Sequence, residues 1–268
     1  MFIELPALSL SDIQTIAIVD NMHSSERDLP YWEAEIAGFK TISVPANLES
    51  LEETAAFIQA HAQAAICAHR LASQGHTHFY GAELVAALYD LKIPALLVTQ
   101  YTDIDIHTTI RRWRDKIPVI LHLRALSFET VTEHLKTCLD ELRGTIPETR
   151  KPYRVMMNIV DVQEVAGEKV IDVTVGRWDH YQVVRFPISL VPPDLHVHMQ
   201  PEAWLFADVN IGAEYHDDLY FRSIALAPTP EYDEDMVYCV DLEQAAQEGW
   251  EEEYTRLSDF SWLEAEQD

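Results

Sequence analysis

The chain has 268 residues, 48% of them apolar, and its 19 Lys+Arg against 45 Asp+Glu give a formal charge of -26. That apolar content excludes global disorder, and the length suffices for one large core or two of about 100 to 150 residues each. No apolar run approaches the roughly 18 to 20 residues of a membrane helix, and Met1 to Ser9 lacks the basic and apolar segments of a secretory signal, so the expectation is a cytoplasmic protein without a membrane partner.

Taken in chain order, Ile16-Ala17-Ile18-Val19 is a buried strand that ends in Asp20-Asn21, and Lys40 to Val44 is a second β-rich run. Between them Trp32, Ile36 and Phe39 recur at helical spacing. Leu48 to Ala62 reads as a helix, with Ser50 and Glu53 at the capping-box spacing. A strand at Ala64 to Ala68 follows, then a helix at Gly81 to Tyr89, a strand at Pro94 to Val98 ending in Thr99, and a helix at Thr102 to Trp113. Pro118 to Leu121 supplies a fifth strand, and Phe128 to Leu142 is amphipathic through Val131, Leu135, Cys138, Leu139 and Leu142. Five strands alternating with helices predict an α/β domain over residues 1–143, a doubly wound five-stranded parallel sheet.

The pairs Val19-Asp20 and Val98-Thr99, each at a strand end, make residues 13–143 resemble the receiver domain of bacterial response regulators. The resemblance implies a regulatory fold in which acids after the first strand bind Mg²⁺, an Asp after the third accepts a phosphoryl group, a Thr after the fourth reads it and a Lys after the fifth contacts it. Here Asp20 is present but Asn21 replaces the second acid, and Ala68 or His69 stands where the acceptor belongs. Thr99 is retained, and Arg124 is the nearest cation after the fifth strand. A carboxylate accepts phosphoryl because it is an anionic oxygen nucleophile, and hard cations want oxygen ligands. The expectation is a degenerate receiver with a pseudo-active or ligand site at Asp20, Asn21, His69, Thr99 and Arg124. An atypical receiver, modified on His69 or holding a small molecule beside Asp20 and Thr99, is a further reading.

Residues 144–152, with Pro147 and Pro152, read as a linker to a β domain over 153–230. Tyr153 to Val165 and Lys169 to Val175 form a hairpin about Gly167, and Tyr181 to Phe186, Ala203 to Val209 and Leu219 to Leu226 add strands. A small antiparallel barrel or sandwich is expected. Within it His196 and His198 stand at i, i+2 with Glu202 four residues on, and His216 is the nearest histidine downstream. On an extended segment such a pair shares a face and suits a transition metal. His69, His76 and His78 form a second cluster.

Residues 231–268 hold fourteen acids and one base, Arg256, for a net of -13, half the total charge. This predicts an acidic arm that repels phosphate backbones, excluding direct nucleic-acid binding. Trp250, Tyr254 and Leu257 recur at helical spacing among the acids, with Phe260 and Trp262 beyond them, and are the expected partner-binding residues for a protein partner, one of basic character; a solvated end, or a stripe docked on the protein's own body, is the other reading. Cys67, Cys138 and Cys239 form no C-x-x-C pair and are expected to be reduced thiols.

No phosphate-cradling glycine loop or H-E-x-x-H is present, and Trp178-Asp179-His180 has no identifiable nucleophile. No catalytic residue, metal ligand or cofactor is therefore assigned. The favoured reading is a non-catalytic regulatory or adaptor protein; the alternative is a metal-dependent enzyme using His196, His198 and Glu202 or His69, His76 and His78.

Overall fold

The structure is a computed structural model that describes residues 8–20, 36, 38–45, 48, 50–71, 78–100, 105–165, 167–179 and 181–227. The expected arm, with Trp250, Tyr254, Leu257, Phe260 and Trp262, lies outside the described residues, as do Asn21, Trp32, His76, His180 and Cys239.

The first half contains β1 (Thr15–Val19), β2 (Lys40–Ser43), α1 (Leu51–His61), β3 (Ala64–Ala68), α2 (Gly81–Asp90), β4 (Ala95–Thr99), β5 (Ile120–His122) and α3 (Phe128–Leu142). Its strands are all parallel and run in the order β2-β1-β3-β4-β5. Both faces are covered, which is why β1, β3 and β4 read as unbroken apolar runs. Alternate side chains serve opposite faces. Ala17, Val19, Ala65, Cys67 and Leu97 pack with α1 and α2 on one side. Ile16, Ile18, Ile66, Leu96 and Val98 meet Val131, Leu135 and Leu139 of α3 on the other. The predicted Ser50 cap is formed, its side chain accepting from the Glu53 amide at 3.1 Å. Ser127 caps α3 in the same way.

The fourth helix departs from expectation. Instead of a regular helix over Thr102 to Trp113, a π-helical turn at Ile106–Ile110 runs into a 3-10 turn at Arg111–Lys116. Its sequence explains the irregularity: Ile106, Thr108, Thr109 and Ile110 are β-branched, and the Thr109 hydroxyl donates back to the Asp105 carbonyl at 3.3 Å. This stretch, Asp105 to Lys116, is the junction segment.

The second half comprises β6 (Tyr153–Val165), β7 (Glu168–Val175), β8 (Val183–Pro187), β9 (Trp204–Val209) and β10 (Phe221–Leu226). They form one antiparallel sheet in the order β10-β9-β6-β7-β8. The predicted hairpin is present, with Gly167 at φ +83° in its turn. Among the described residues no second sheet faces this one and no ladder joins β10 to β8, so the barrel or sandwich expected from the sequence is here one open sheet. It is nonetheless rolled. Four interstrand spacings would separate flat edges by roughly 19 Å, yet Phe186 on β8 and Phe221 on β10 have ring centroids 4.8 Å apart. Their inner face buries Val155, Met157, Ile171, Val173, Leu205 and Ala207.

The junction segment packs against β8 at this open seam. Three arginines fasten it and its surroundings. Arg111, 1% exposed, donates through Nη1 to the His216 carbonyl at 2.9 Å and to the Leu219 carbonyl, and lies over the Phe221 ring at 5.8 Å. Arg114 donates to the Ile117 carbonyl and, at 2.9 Å, to Asp218. Arg150, from the 3-10 turn Glu148–Arg150 in the expected linker, makes a two-pronged bond to Glu141 of α3 at 2.7 and 3.0 Å. Its carbonyl in turn accepts from the Tyr220 hydroxyl at 2.6 Å. Fully buried Asn210 completes the seam, donating to the Thr149 and Asp218 carbonyls and accepting from the Tyr220 amide. The two sheets thus belong to one compact unit, which ends at Ala227. Among the described residues no helix is long and apolar enough to cross a membrane.

Removing one member of a buried ion pair strands the other charge, at a cost of about 3–5 kcal/mol, whereas apolar replacement of both avoids that penalty. Arg150→Ala is therefore expected to lower unfolding stability by about that much, and Arg150→Met with Glu141→Leu to lower it less. Urea unfolding of the three proteins checks the order.

Candidate functional site

In open α/β sheets ligands gather at the carboxyl ends of the strands. The register shows what stands there. Val19 pairs with Cys67, so the next residue, half-buried Asp20, falls beside Ala68. Ala68 pairs with Val98, and the His69 amide continues the ladder by donating to the Val98 carbonyl at 2.9 Å, which sets His69 beside buried Thr99. Thr99 pairs with His122. The strand-end row is therefore His69, Thr99 and His122, with Asp20 one position earlier, beside Ala68. Arg124 is not in it: it sits exposed in a 3-10 turn, its amide donating to His122 Nδ1 at 3.2 Å.

His69 follows β3 directly and is buried. It is 1% exposed and stacks on Tyr80 with centroids 5.3 Å apart. Two contacts hold it there. Its Nε2 lies 2.9 Å from Thr109 Oγ1, and its carbonyl accepts from the Gly81 amide at 2.8 Å, in place of a side-chain cap on α2. Gly81 is required for that approach, because a Cβ there would stand 2.0 Å from the Ala68 carbonyl oxygen. Since the Thr109 hydroxyl donates to the Asp105 carbonyl, His69 donates from Nε2 and leaves an unprotonated Nδ1, which is buried without a partner.

Beside the ring, Arg70 grips Asp105 with two bonds of 2.9 and 3.0 Å, and Asp105 Oδ2 lies 3.8 Å from His69 Nε2. Burial pulls the proton affinity of His69 down to about 4, with Asp105 raising it and Arg70 lowering it further. A neutral imidazole beside a half-buried ion pair thus stands at the end of β3. Such a group offers neither a carboxylate to phosphorylate nor oxygen ligands to a hard cation. Asp105 and Thr109 were not legible as site residues, because only the π turn after β4 carries them to β3.

The other predicted clusters fare differently. His196 and His198 lie in a 3-10 turn, Pro193–His198, so the strand alternation that would align them is absent. Pro193 at the first position of that turn sets its φ for a helical start. His196 Nε2 bonds the Val191 carbonyl at 2.9 Å, His198 is exposed, and Glu202 stands apart in a left-handed turn at φ +69°. His78 is exposed. Trp178 donates to the Ala213 carbonyl at 2.8 Å and Asp179 accepts from the Tyr181 amide at 2.9 Å, an anchor and a turn. Cys67 and Cys138 are buried free thiols, both pushed upward by burial, Cys138 to about 12.

A group that the sequence left unconnected does form. Among the described residues only His107, His216 and Asp217 bring three potential metal-ligating atoms within 4.8 Å of one another. His107 comes from the π turn, the other two from the 3-10 turn His216–Asp218 before β10.

The strand order of the first half is that of the receiver domain. Its α/β sheet has the receiver fold. Solved receivers align with about half the chain: a response-regulator receiver domain protein from Clostridium thermocellum at 10% identity, covering 50% of this chain and 100% of that one with TM-score 0.36. A CheY-like receiver domain protein from Methanospirillum hungatei aligns at 16% identity over 49% and 98% of the two chains, TM-score 0.35. The receiver domain of a LuxO-type repressor protein from Vibrio parahaemolyticus aligns at 12% identity over 49% and 93%, TM-score 0.34. No family model and no curated protein sequence matches the chain.

His69 has a pH signature. In the unfolded chain its imidazole takes a proton near 6.5, in the folded chain only near 4, so below pH 6.5 the unfolded state binds more protons and stability falls as pH drops toward 4. His69→Gln is expected to flatten that slope by up to one proton relative to wild type, measured as urea unfolding free energies at pH 7 and pH 5. Parallel pH slopes would show that His69 is not held neutral.

Proposed function

We propose that the protein is a non-catalytic regulatory or adaptor protein whose receiver-like half is built as a fixed scaffold. The observation that carries this reading is the buried, neutral His69 beneath the Arg70–Asp105 pair, at the strand end where a receiver would need an accepting carboxylate. Thr99 remains on the neighbouring strand end, but the group it would sense has no carboxylate to form on. The junction segment, which follows β4, is tied by Arg111 and Arg114 to the second half. A segment so held moves only if buried guanidinium bonds break, which is costly.

Output then comes from binding. In this reading the β half and the acidic arm over residues 231–268 take a basic protein partner, and the rolled sheet, sealed at its seam by the junction segment, acts as a small barrel. Exposed Tyr181, Val197 and Tyr215, at 85%, 80% and 61% exposure, offer apolar contacts on the β half. The arm supplies a net of -13 and its interleaved aromatics, with Trp250, Tyr254, Leu257, Phe260 and Trp262 as anchors. A reducing, cytoplasmic setting suits the unpaired Cys67 and Cys138.

Treatment with acetyl phosphate and Mg²⁺ is expected to leave the intact mass unchanged; a phosphoryl adduct would refute the fixed-scaffold reading. Native mass spectrometry of tagged protein from its host is expected to show a stoichiometric basic partner that is lost when residues 231–268 are deleted. Retention of the partner by the truncated chain would remove the arm from the interface.

A further inference from the structure

We propose that His107, His216 and Asp217 form a binding site for a zinc-class divalent transition-metal ion, which would clamp the junction segment to the loop before β10. The inference is independent of the adaptor reading. Two imidazoles and one carboxylate are a donor set that suits zinc and its neighbours, and three protein ligands leave a further position for water.

Geometry brings the group together. Its ligand atoms lie within 4.8 Å of one another although His107 is more than a hundred residues from the other two. Two of the atoms are conspicuously unused. His107 Nδ1 is buried with no hydrogen-bond partner, and so is Asp217 Oδ1. The latter stands 2.8 Å from His216 Nδ1, but not in hydrogen-bonding orientation, so the contact is a close approach of two potential ligands rather than a satisfied pair. Buried polar atoms are rarely left unpaired, and an ion is one way of satisfying both. In the same region Arg111 takes the His216 carbonyl and Arg114 takes Asp218, so neither of these groups is left for the two atoms. His107 and His216 are left facing each other, ring centroids 5.6 Å apart and planes 18° from parallel. Near-parallel rings must turn to share an ion. His216, with 42% of its side chain exposed, has the room to do so, and Asp217, at 36%, leaves a path for the ion to enter.

Local charge sets the strength. Asp217 contributes one negative ligand, and Asp218 lies beside it, while Arg111 and Arg185 oppose a further cation near His107. The balance gives a site weaker than a closed four-ligand zinc centre, one that responds to metal supply and ties the two halves when filled.

The test uses the full chain, tag-free and stripped with chelator, titrated with Zn²⁺ by calorimetry and with Co²⁺ by visible absorption. One equivalent of each is expected, with cobalt bands of a nitrogen- and oxygen-ligated ion and a rise in melting temperature on zinc addition. Changes outside the first ligand shell alone cost about 10- to 100-fold in affinity, so His216→Ala and Asp217→Asn should each weaken binding by at least about tenfold and abolish the thermal gain. Both positions are part-exposed, so these variants should fold even if His107→Ala does not. His196→Ala should bind as wild type. Absence of stoichiometric binding, or binding that survives His216→Ala and Asp217→Asn, or binding lost only on deleting residues 231–268, would overturn the proposal.

Discussion

Burial of guanidinium groups between the two sheets is the constraint on which the rest of the structure depends. Arg111 and Arg114 are fully enclosed, and burial lowers their proton affinities to about 9 and 10, which still leaves both charged at neutral pH. Such charges are tolerated only where polar groups are waiting. The His216, Leu219 and Ile117 carbonyls and Asp218 provide them, while Glu141 receives Arg150. These acceptors come from α3, the residue after the junction segment and the loop before β10, so satisfying three arginines fixes α3, the junction segment, the connecting turn and that loop against one another. The planar fork of arginine suits this work, because one side chain can address two acceptor atoms at once, as Arg150 does with both oxygens of Glu141. Arg111 Nε and Nη2 and Arg114 Nε nevertheless find no partner, a residual cost at the centre of the seam.

From that seam the character of the strand-end crevice follows. The junction segment begins with Asp105, and because its far end is pinned by Arg111 and Arg114, its near end is delivered to His69 and Arg70. The ion pair, the Thr109 bond and the stacked Tyr80 then enclose the imidazole. In a switchable domain the segment after the fourth strand would need two positions of similar energy. Here the buried bonds of Arg111 and Arg114 join that segment to the loop before β10. The rolled sheet depends on it too, since the gap between β8 and β10 faces the π turn, and Arg111 covers Phe221 there.

Local chemistry made much of the architecture readable. Buried parallel strands announce themselves as runs such as Ala64 to Ala68 and Ala95 to Thr99, and Ser50 and Ser127 mark helix starts by a bond within their own turn. The β6–β7 hairpin was equally legible, because Gly167 lies between two alternating segments. Errors came where neighbours overrode local signals. Pro192-Pro193 tightened the His196–His198 stretch into a 3-10 turn, and the β-branched run from Ile106 widened a predicted helix into a π turn. Of the predicted crevice residues, His69 and Thr99 stand side by side at the strand ends with Asp20 one position earlier, while Arg124 lies exposed in the turn after His122.

By itself, then, the sequence determined the alternation of strands and helices, the parallel sheet, the hairpin, the concentration of charge in residues 231–268 and the lack of a carboxylate after β3. These are properties of a residue and its near neighbours, and periodicity or composition reports them. Only the tertiary structure decided that His69 is buried and neutral, that Asp105 and Thr109 belong to its surroundings, that Arg111 seals a rolled sheet and that His107 meets His216 and Asp217. Each of those facts requires groups dozens to a hundred residues apart to share a dry interior. There the cost of an unpaired charge or dipole selects the partner, and no local pattern records which partner that will be.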